Sequence, residues 1–219
     1  MKLLARFYDP TEGQILIDGI DLKEIDLKTW RQYLSVVFQD FGQYHLSAKE
    51  NIGISRSSFD LEEIAEAAKK GGFDSVAAKL PSGFDSMLGK EFGGTSLSGG
   101  EWQKIAMSRA FFRDANILIL DEPTAALDPK SEHEVFQKFA ENTENKTTFF
   151  ITHRLGSVRM ADWILVLKNG ELIEEGIHEE LLSKRDGEYA YLFSLQAERY
   201  ATKEAGEVLV NEAVSALLR

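Results

Sequence analysis

Two adjacent acids, Asp121 and Glu122, end a run of four apolar residues, Ile117 to Leu120, and Pro123 follows at once. A run of that length and composition reads as a buried strand, so both carboxylates are pinned at a strand's carboxyl end. An open α/β sheet presents its ligand groups there. One carboxylate to hold Mg²⁺ through water and a second to polarise an attacking water are what hydrolysis of a phosphate anhydride needs. Asp121 suits the first role and Glu122 the second. His153 follows the apolar stretch Thr148 to Ile151 across Thr152, and Gln39 ends the stretch Ser35 to Phe38 in the same way. A solvated turn is the bland explanation for paired acids, and a lone histidine is more often structural. Three polar tips at three strand ends nevertheless predict one shared rim beside a crevice.

Upstream lies Leu-Ser-Gly-Gly-Glu, Leu97 to Glu101. Ser98 and Glu101 have the spacing of a capping box that opens a helix from Glu101 to Arg113. The glycine pair would also let backbone N–H groups approach an anion at the positive helix end, which favours phosphate. The two readings are compatible, and the local motif does not choose between them.

The elements around these residues follow from periodicity. Met1 to Tyr8 has apolar residues at helical spacing and stops at Asp9-Pro10. Ile15, Ile17, Ile20 and Leu22 alternate around Asp18-Gly19, a hairpin signal. Asp26 caps a short helix ending near Tyr33. From 41 to 95 strand signals vanish: Asp60 and Glu63 open a helix through Lys70, and a second covers roughly Asp74 to Lys79. Strand and helix then alternate, with a helix from Ser131 to about Asn142 before the strand at Thr148, which predicts a largely parallel sheet. Asn169-Gly170 marks a hairpin between Trp163–Leu167 and Glu171–Glu174. His178 to Lys184 and Tyr189 onward read as helix, and 201–219 has weak helical periodicity. The expectation is an α/β core from 1–40 and 96–195, a helical insertion at 41–95 and a helical tail at 196–219.

Bulk properties narrow the class. Hydrophobic residues at 43% and charged residues at 28% describe an ordinary globular chain of 219 residues. A formal net charge of −11 argues against nucleic acid as the main partner. No cysteine is present, which excludes thiolate metal sites and a disulfide scaffold. No apolar run has the length of a membrane span, so work at a membrane would go through another polypeptide or segment.

These motifs, in this order, resemble the nucleotide-binding domain of an ATP-binding cassette transporter over nearly the whole chain. LSGGE resembles the family's signature motif and ILILDE, Ile117 to Glu122, its Walker B strand. Ala126-Leu127-Asp128 resembles the D-loop, Gln39 the Q-loop glutamine and His153 the switch histidine. Arg6 to Gly19 and Ala161 to Leu182 look most like the bacterial exporter branch. The resemblance implies a P-loop NTPase-like α/β fold and a head-to-tail dimer, with an identical or different second nucleotide-binding domain, holding two ATP molecules with Mg²⁺. Asp121 and Gln39 would serve the metal, and Glu122, His153 and Gln39 the chemistry of the ATP on their own subunit. Ser98, Gly99 and Gly100 would touch the γ-phosphate of ATP held by the neighbour, and Asp128 would reach across the interface. The insertion at 41–95 would dock on a transmembrane domain or subunit at the cytoplasmic face of the plasma membrane.

One motif is missing from the 219 residues. No G-x-x-x-x-G-K-S/T loop occurs; the nearest imitation, Gly83 to Lys90, has five residues between its glycine and Gly89-Lys90, and Glu91 follows. Without a Ser or Thr hydroxyl, and with an acid in its place, that segment does not hold a nucleotide phosphate. In relatives the phosphate loop would precede the helix that holds Met1, so the first strands and this loop are expected to be lacking. The resemblance also places the strand ahead of that loop beside the Walker B strand. The chain alone should therefore bind ATP weakly. Two functions follow: a partial ATPase subunit of an exporter, or a catalytically deficient partner that offers its signature face to an intact subunit.

Overall fold

In the computed structural model, residues 1–90, 93–123, 135, 137–154 and 158–197 are described. The chain divides into two compact units, Met1–Ile151 and Thr152–Arg219.

The first unit opens with turns rather than a full helix. Ala5 N–H bonds Met1 O and Phe7 N–H bonds Lys2 O, but Arg6 has φ +50° and ends the winding. Its guanidinium instead donates to Ile25 O and, at 3.0 Å, to Lys23 O. A hairpin pairs β1 (Leu16–Ile17) with β2 (Ile20–Asp21). Asp18 and Gly19 both have positive φ, 49° and 82°, as a two-residue type I′ turn requires. In α1 (Leu27–Gln32) the Asp26 carboxylate accepts from Thr29 N–H at 2.8 Å, and the buried Trp30 indole donates to Leu4 O.

The sheet has three parallel strands, β3 (Leu34–Val37), β4 (Ile117–Asp121) and β5 (Thr147–Ile151), in the order β3-β4-β5. Leu118, Ile119 and Leu120 of β4 are buried, which explains an apolar run where a one-faced strand would alternate. Both edges of β4 are paired, to β3 and to β5. The expected neighbour from the phosphate-loop strand therefore has no place beside it.

Between β3 and β4 the chain forms α2 (Ala48–Gly53), α3 (Leu61–Gly71), α4 (Asp74–Ala77) and α5 (Gly99–Arg113). Capping boxes open three of them, at Ser47/Glu50, Asp60/Glu63 and Ser98/Glu101. Ile52, Ile64, Phe73, Leu88 and Ile105 share one core. A second cluster joins Ala106, Met107 and Ala110 of α5 to Val37, Leu118 and Leu120 of the sheet. Helix α5 thus serves both cores. It crosses α3 so closely that a Cβ on Gly71 would lie 2.5 Å from Ser108 N. Of the helix expected before β5, residues 137–141 are helical, and 131–134 lie outside the described residues.

In the second unit β6 (Ile164–Lys168) and β7 (Glu171–Gly176) form the Asn169-Gly170 hairpin, with φ of 54° and 85° at the turn. Helix α6 (His178–Ser183) follows, and residues 188–197 are helical. Glu174 accepts from Glu188 N–H and Tyr189 N–H at 2.9 and 3.0 Å, and Ile164, Val166, Leu181 and Tyr189 form the core. Residues 201–219, expected to be weakly helical, lie outside the described residues.

Candidate functional site

Strands β3 and β4 run parallel with Val37 opposite Leu120, so the chain leaves both at the same end of the sheet. Gln39 leaves β3 there, and Asp121 is the last residue of β4. The Gln39 amide donates from Nε2 to Glu122 Oε2 at 3.4 Å. Gln39 and the adjacent pair Asp121-Glu122, some eighty residues apart in sequence, thus stand at one end of the sheet. Glu122 itself has φ +47°, the left-handed region that an ordinary side chain rarely adopts. Its N–H donates to Ile151 O at 2.9 Å, carrying the β4–β5 ladder one residue past the strand. The backbone is thus turned out of the sheet at the carboxylate while its donor stays satisfied.

His153 lies two residues beyond β5, in the second unit; it is exposed, and its carbonyl accepts from Gln196 Nε2 at 2.6 Å. Asp128 lies outside the described residues. Ser98 is the exposed N-cap of α5. Its Oγ accepts from Glu101 N–H at 3.3 Å, while Ser98 N–H and Oγ–H both donate to Glu101 Oε2, at 2.7 and 2.9 Å. The helix begins at Gly99, two residues earlier than the periodicity predicts, and the Ser98 side chain caps the amide of Glu101 rather than those of Gly99 and Gly100. Those donors at the positive end of a 15-residue helix suit an anion.

Sequence reasoning missed two polar residues of α5, one buried and one half-buried. Gln103 donates from Nε2 to Pro123 O, next to Glu122, and its buried Oε1 has no partner among the described residues. Arg109 is half-buried, and desolvation pulls its guanidinium down to about 10, partly opposed by Tyr44. Their one sequence signal is position: Gln103 and Arg109 are interleaved with Trp102, Ile105, Ala106 and Ala110, the apolar face of the helix.

Among the described residues no group of three or more His, Cys, Asp or Glu could enclose a metal. The rim offers one or two carboxylates, which matches Mg²⁺, since that ion takes its remaining ligands from phosphate and water.

Known proteins resemble this chain in sequence and in fold. Residues 1–125 match the family model described as ABC transporter. The leukotoxin translocation ATP-binding protein LktB of Mannheimia glucosida is 42% identical over 195 residues, covering 89% of this chain and 27% of that protein. The ATP-dependent lipid A-core flippase of Desulfotalea psychrophila is 45% identical over 196 residues, covering 89% of this chain and 34% of that one. The solved structure of a bacterial Atm1-family ABC exporter with ATP bound aligns with a TM-score of 0.82 at 38% identity, over 90% of this chain and 34% of its own. The chain therefore spans about a third or less of the length of the relatives it matches. A mixed α/β fold of the P-loop NTPase type, the parallel sheet β3-β4-β5 and the family match lead to one conclusion: the chain belongs to the ABC transporter family.

Proposed function

We propose that this chain is part of the ATP-hydrolysing domain of an exporter, working as a head-to-tail pair with a second such domain and driving a transmembrane partner. The observation that carries the reading is the Gln39–Glu122 hydrogen bond at the rim where Asp121 ends β4. Glu122 polarises the attacking water, and Gln39 orients that carboxylate and reaches toward the metal. Asp121 would hold Mg²⁺, an ion that takes oxygen ligands. Bound there, the ion would neutralise charge developing on the transferred phosphoryl group. His153 meets the γ-phosphate or the water from the segment after β5. Ser98, Gly99 and Gly100 offer their donors to the γ-phosphate on the neighbouring subunit, and Asp128 reaches across the interface. The helices between 41 and 95 dock on the membrane partner. Among the described residues no helix is long and apolar enough to cross a membrane; the membrane-spanning part is assigned to that partner, with this domain at the cytoplasmic face.

A second reading has its own support. The 219 residues hold a complete helix start at Ser98 but no phosphate-cradling G-x-x-x-x-G-K-S/T loop. A polypeptide of only these residues would act as a deficient half-site that completes an intact subunit.

The test uses the full-length protein containing this segment, with MgATP hydrolysis and nucleotide binding measured in parallel. Glu122→Gln should lower kcat by about 10²–10⁴ while nucleotide binding is retained. Hydrolysis at the unaltered rate would remove Glu122 from the chemistry and the reading with it. Residues 1–219 mixed with an intact subunit decide the second reading: stimulation lost on Ser98→Arg supports it, and no stimulation rejects it.

A further inference from the structure

Arg109 of α5 holds a half-buried cation, and among the described residues none of its acceptors is a carboxylate. Nε donates to Asn51 O at 2.8 Å, one terminal nitrogen to Asn51 Oδ1 at 2.6 Å and the other to Gly42 O at 2.6 Å. Its guanidinium carbon stands 4.8 Å from the centre of the Tyr44 ring. Asn51 is fully buried, and its Nδ2 donates to Tyr44 O, Leu46 O and Ser47 O at 3.0 to 3.1 Å. Two side chains thus grip the carbonyls of Gly42, Tyr44, Leu46 and Ser47, in a segment that begins just after Gln39. Removing a guanidinium from water without an opposite charge is costly. The structure accepts that cost at the loop that carries the Gln39 amide to Glu122. The other half of the pair is held from the same helix, by Gln103 on Pro123 O.

We propose that Arg109, acting through Gly42 and Asn51, is the positioning residue for Gln39: it fixes segment 40–47 against α5 and so keeps the Gln39 amide in reach of the Glu122 carboxylate. This rests on the ATPase reading, because it gives Gln39 its task. A purely structural arginine would lower stability when removed but would act independently of Gln39. A positioning arginine loses its effect once Gln39 is gone, and a double-mutant cycle separates the two.

The experiment compares the full-length protein with Arg109→Met, Arg109→Lys, Gln39→Ala and the Arg109→Met/Gln39→Ala pair, measuring kcat and KM for MgATP and amide hydrogen exchange over 40–47. Arg109→Met should lower kcat about tenfold with KM within about twofold, since misplacing a reacting group slows the step more than it weakens binding. Added to Gln39→Ala it should change kcat by less than about twofold. Exchange across 40–47 should quicken about tenfold or more as the carbonyl grip is lost. Arg109→Lys keeps the charge and one donor; it should show a smaller loss of kcat and covers the case in which methionine prevents folding. Independent, multiplying effects of the two substitutions would overturn the proposal, as would unchanged exchange over 40–47 in Arg109→Met. Absence of MgATP hydrolysis in the unaltered protein would instead reject the ATPase reading, and the exchange measurement would still decide whether Arg109 holds the loop.

Discussion

Replacing Glu101 by glutamine should lower thermal stability and raise the apparent affinity for MgATP, two effects of opposite sign from the loss of one charge. Glu101 Oε2 accepts from Ser98 N–H and Oγ–H at 2.7 and 2.9 Å. A glutamine carbonyl oxygen accepts the same bonds, so the capping box survives. What disappears is a negative charge in the first turn of α5, worth about 0.3–1 kcal/mol against the helix dipole. At this chain length that corresponds to about 1–4 °C in Tm. The ligand side runs the other way. In the present arrangement the Ser98 hydroxyl is held by its own carboxylate in a charge-assisted bond, about twice as strong as a neutral one. A phosphate approaching Gly99 and Gly100 must compete for that hydroxyl and also face the carboxylate's charge. For unit charges about 8 Å apart, Coulomb's law gives about 0.5 kcal/mol in water and about 2 kcal/mol at an effective dielectric of 20. The KM for MgATP should therefore fall about 2- to 30-fold, with the smaller change at high ionic strength. Thermal unfolding and steady-state hydrolysis of the full-length protein at two salt concentrations measure both. A lower Tm with KM unchanged or raised would show that the start of α5 does not face a phosphate.

Two further substitutions test the packing and the caps behind the site. A Cβ on Gly71 would lie 2.3 Å from Ser108 Oγ and 2.5 Å from Ser108 N, so Gly71→Ala must push α3 from α5. Overpacking of about 1–3 kcal/mol should outweigh a helix-propensity gain of up to about 1 kcal/mol and lower Tm by a few degrees; a Tm within a degree of the unaltered protein would contradict the close crossing. At Asp26, the Thr29 backbone N–H and then the Thr29 hydroxyl hold the carboxyl below the usual carboxylate range. A depressed native pKa contributes stability above the unfolded value, near 3.9, and loses it as pH falls through the lowered native value. The deficit of Asp26→Ala should thus be complete at neutral pH and shrink below about pH 4; a pH-independent deficit in thermal unfolding would mean the cap acts without its charge.

The elements legible in the sequence are those whose signal is local. Asp18-Gly19 and Asn169-Gly170 form their turns because the needed positive φ values are cheap for those residue types. The run Ile117 to Leu120 is a strand because both faces of β4 are covered. Helix α2 escaped notice although Ser47 and Glu50 carry the same capping box as Asp60 and Glu63. A six-residue helix is too short to hold itself, and what holds it is the burial of Ala48 and Ile52 against distant residues. Met1 to Tyr8 shows the converse, with helical spacing but a backbone that breaks at Arg6 to reach Ile25 O and Lys23 O. Strand order was beyond reach for another reason: periodicity says which residues face a core but not which parallel strand lies alongside, and β4 has β3 and β5 as its neighbours.

The rim was legible for a topological reason. In a parallel sheet every strand ends on the same side, so polar residues after apolar runs gather without any contact being known in advance. Gln39, Asp121 and Glu122 follow that logic. The left-handed backbone of Glu122 does not, because nothing in Asp-Glu-Pro demands it; it comes from Ile151 accepting the Glu122 N–H. Nor do Gln103 and Arg109, which read from sequence as breaks in an apolar face. Among their partners are the backbone carbonyls of Pro123 and Gly42, which carry no residue-type signal. Helix α5 therefore has two tasks with different legibility. Its first turn presents donors outward, and the cap motif announces this. Further along, the side chains of Gln103 and Arg109 hold the two segments that bear Gln39 and Glu122, and only the folded backbone reveals it. If the outward face meets a neighbour's nucleotide, the same rigid helix ties that contact to the groups that act on the chain's own nucleotide. Substitutions within α5 should then disturb both nucleotides, while those at Gln39 or Glu122 disturb one.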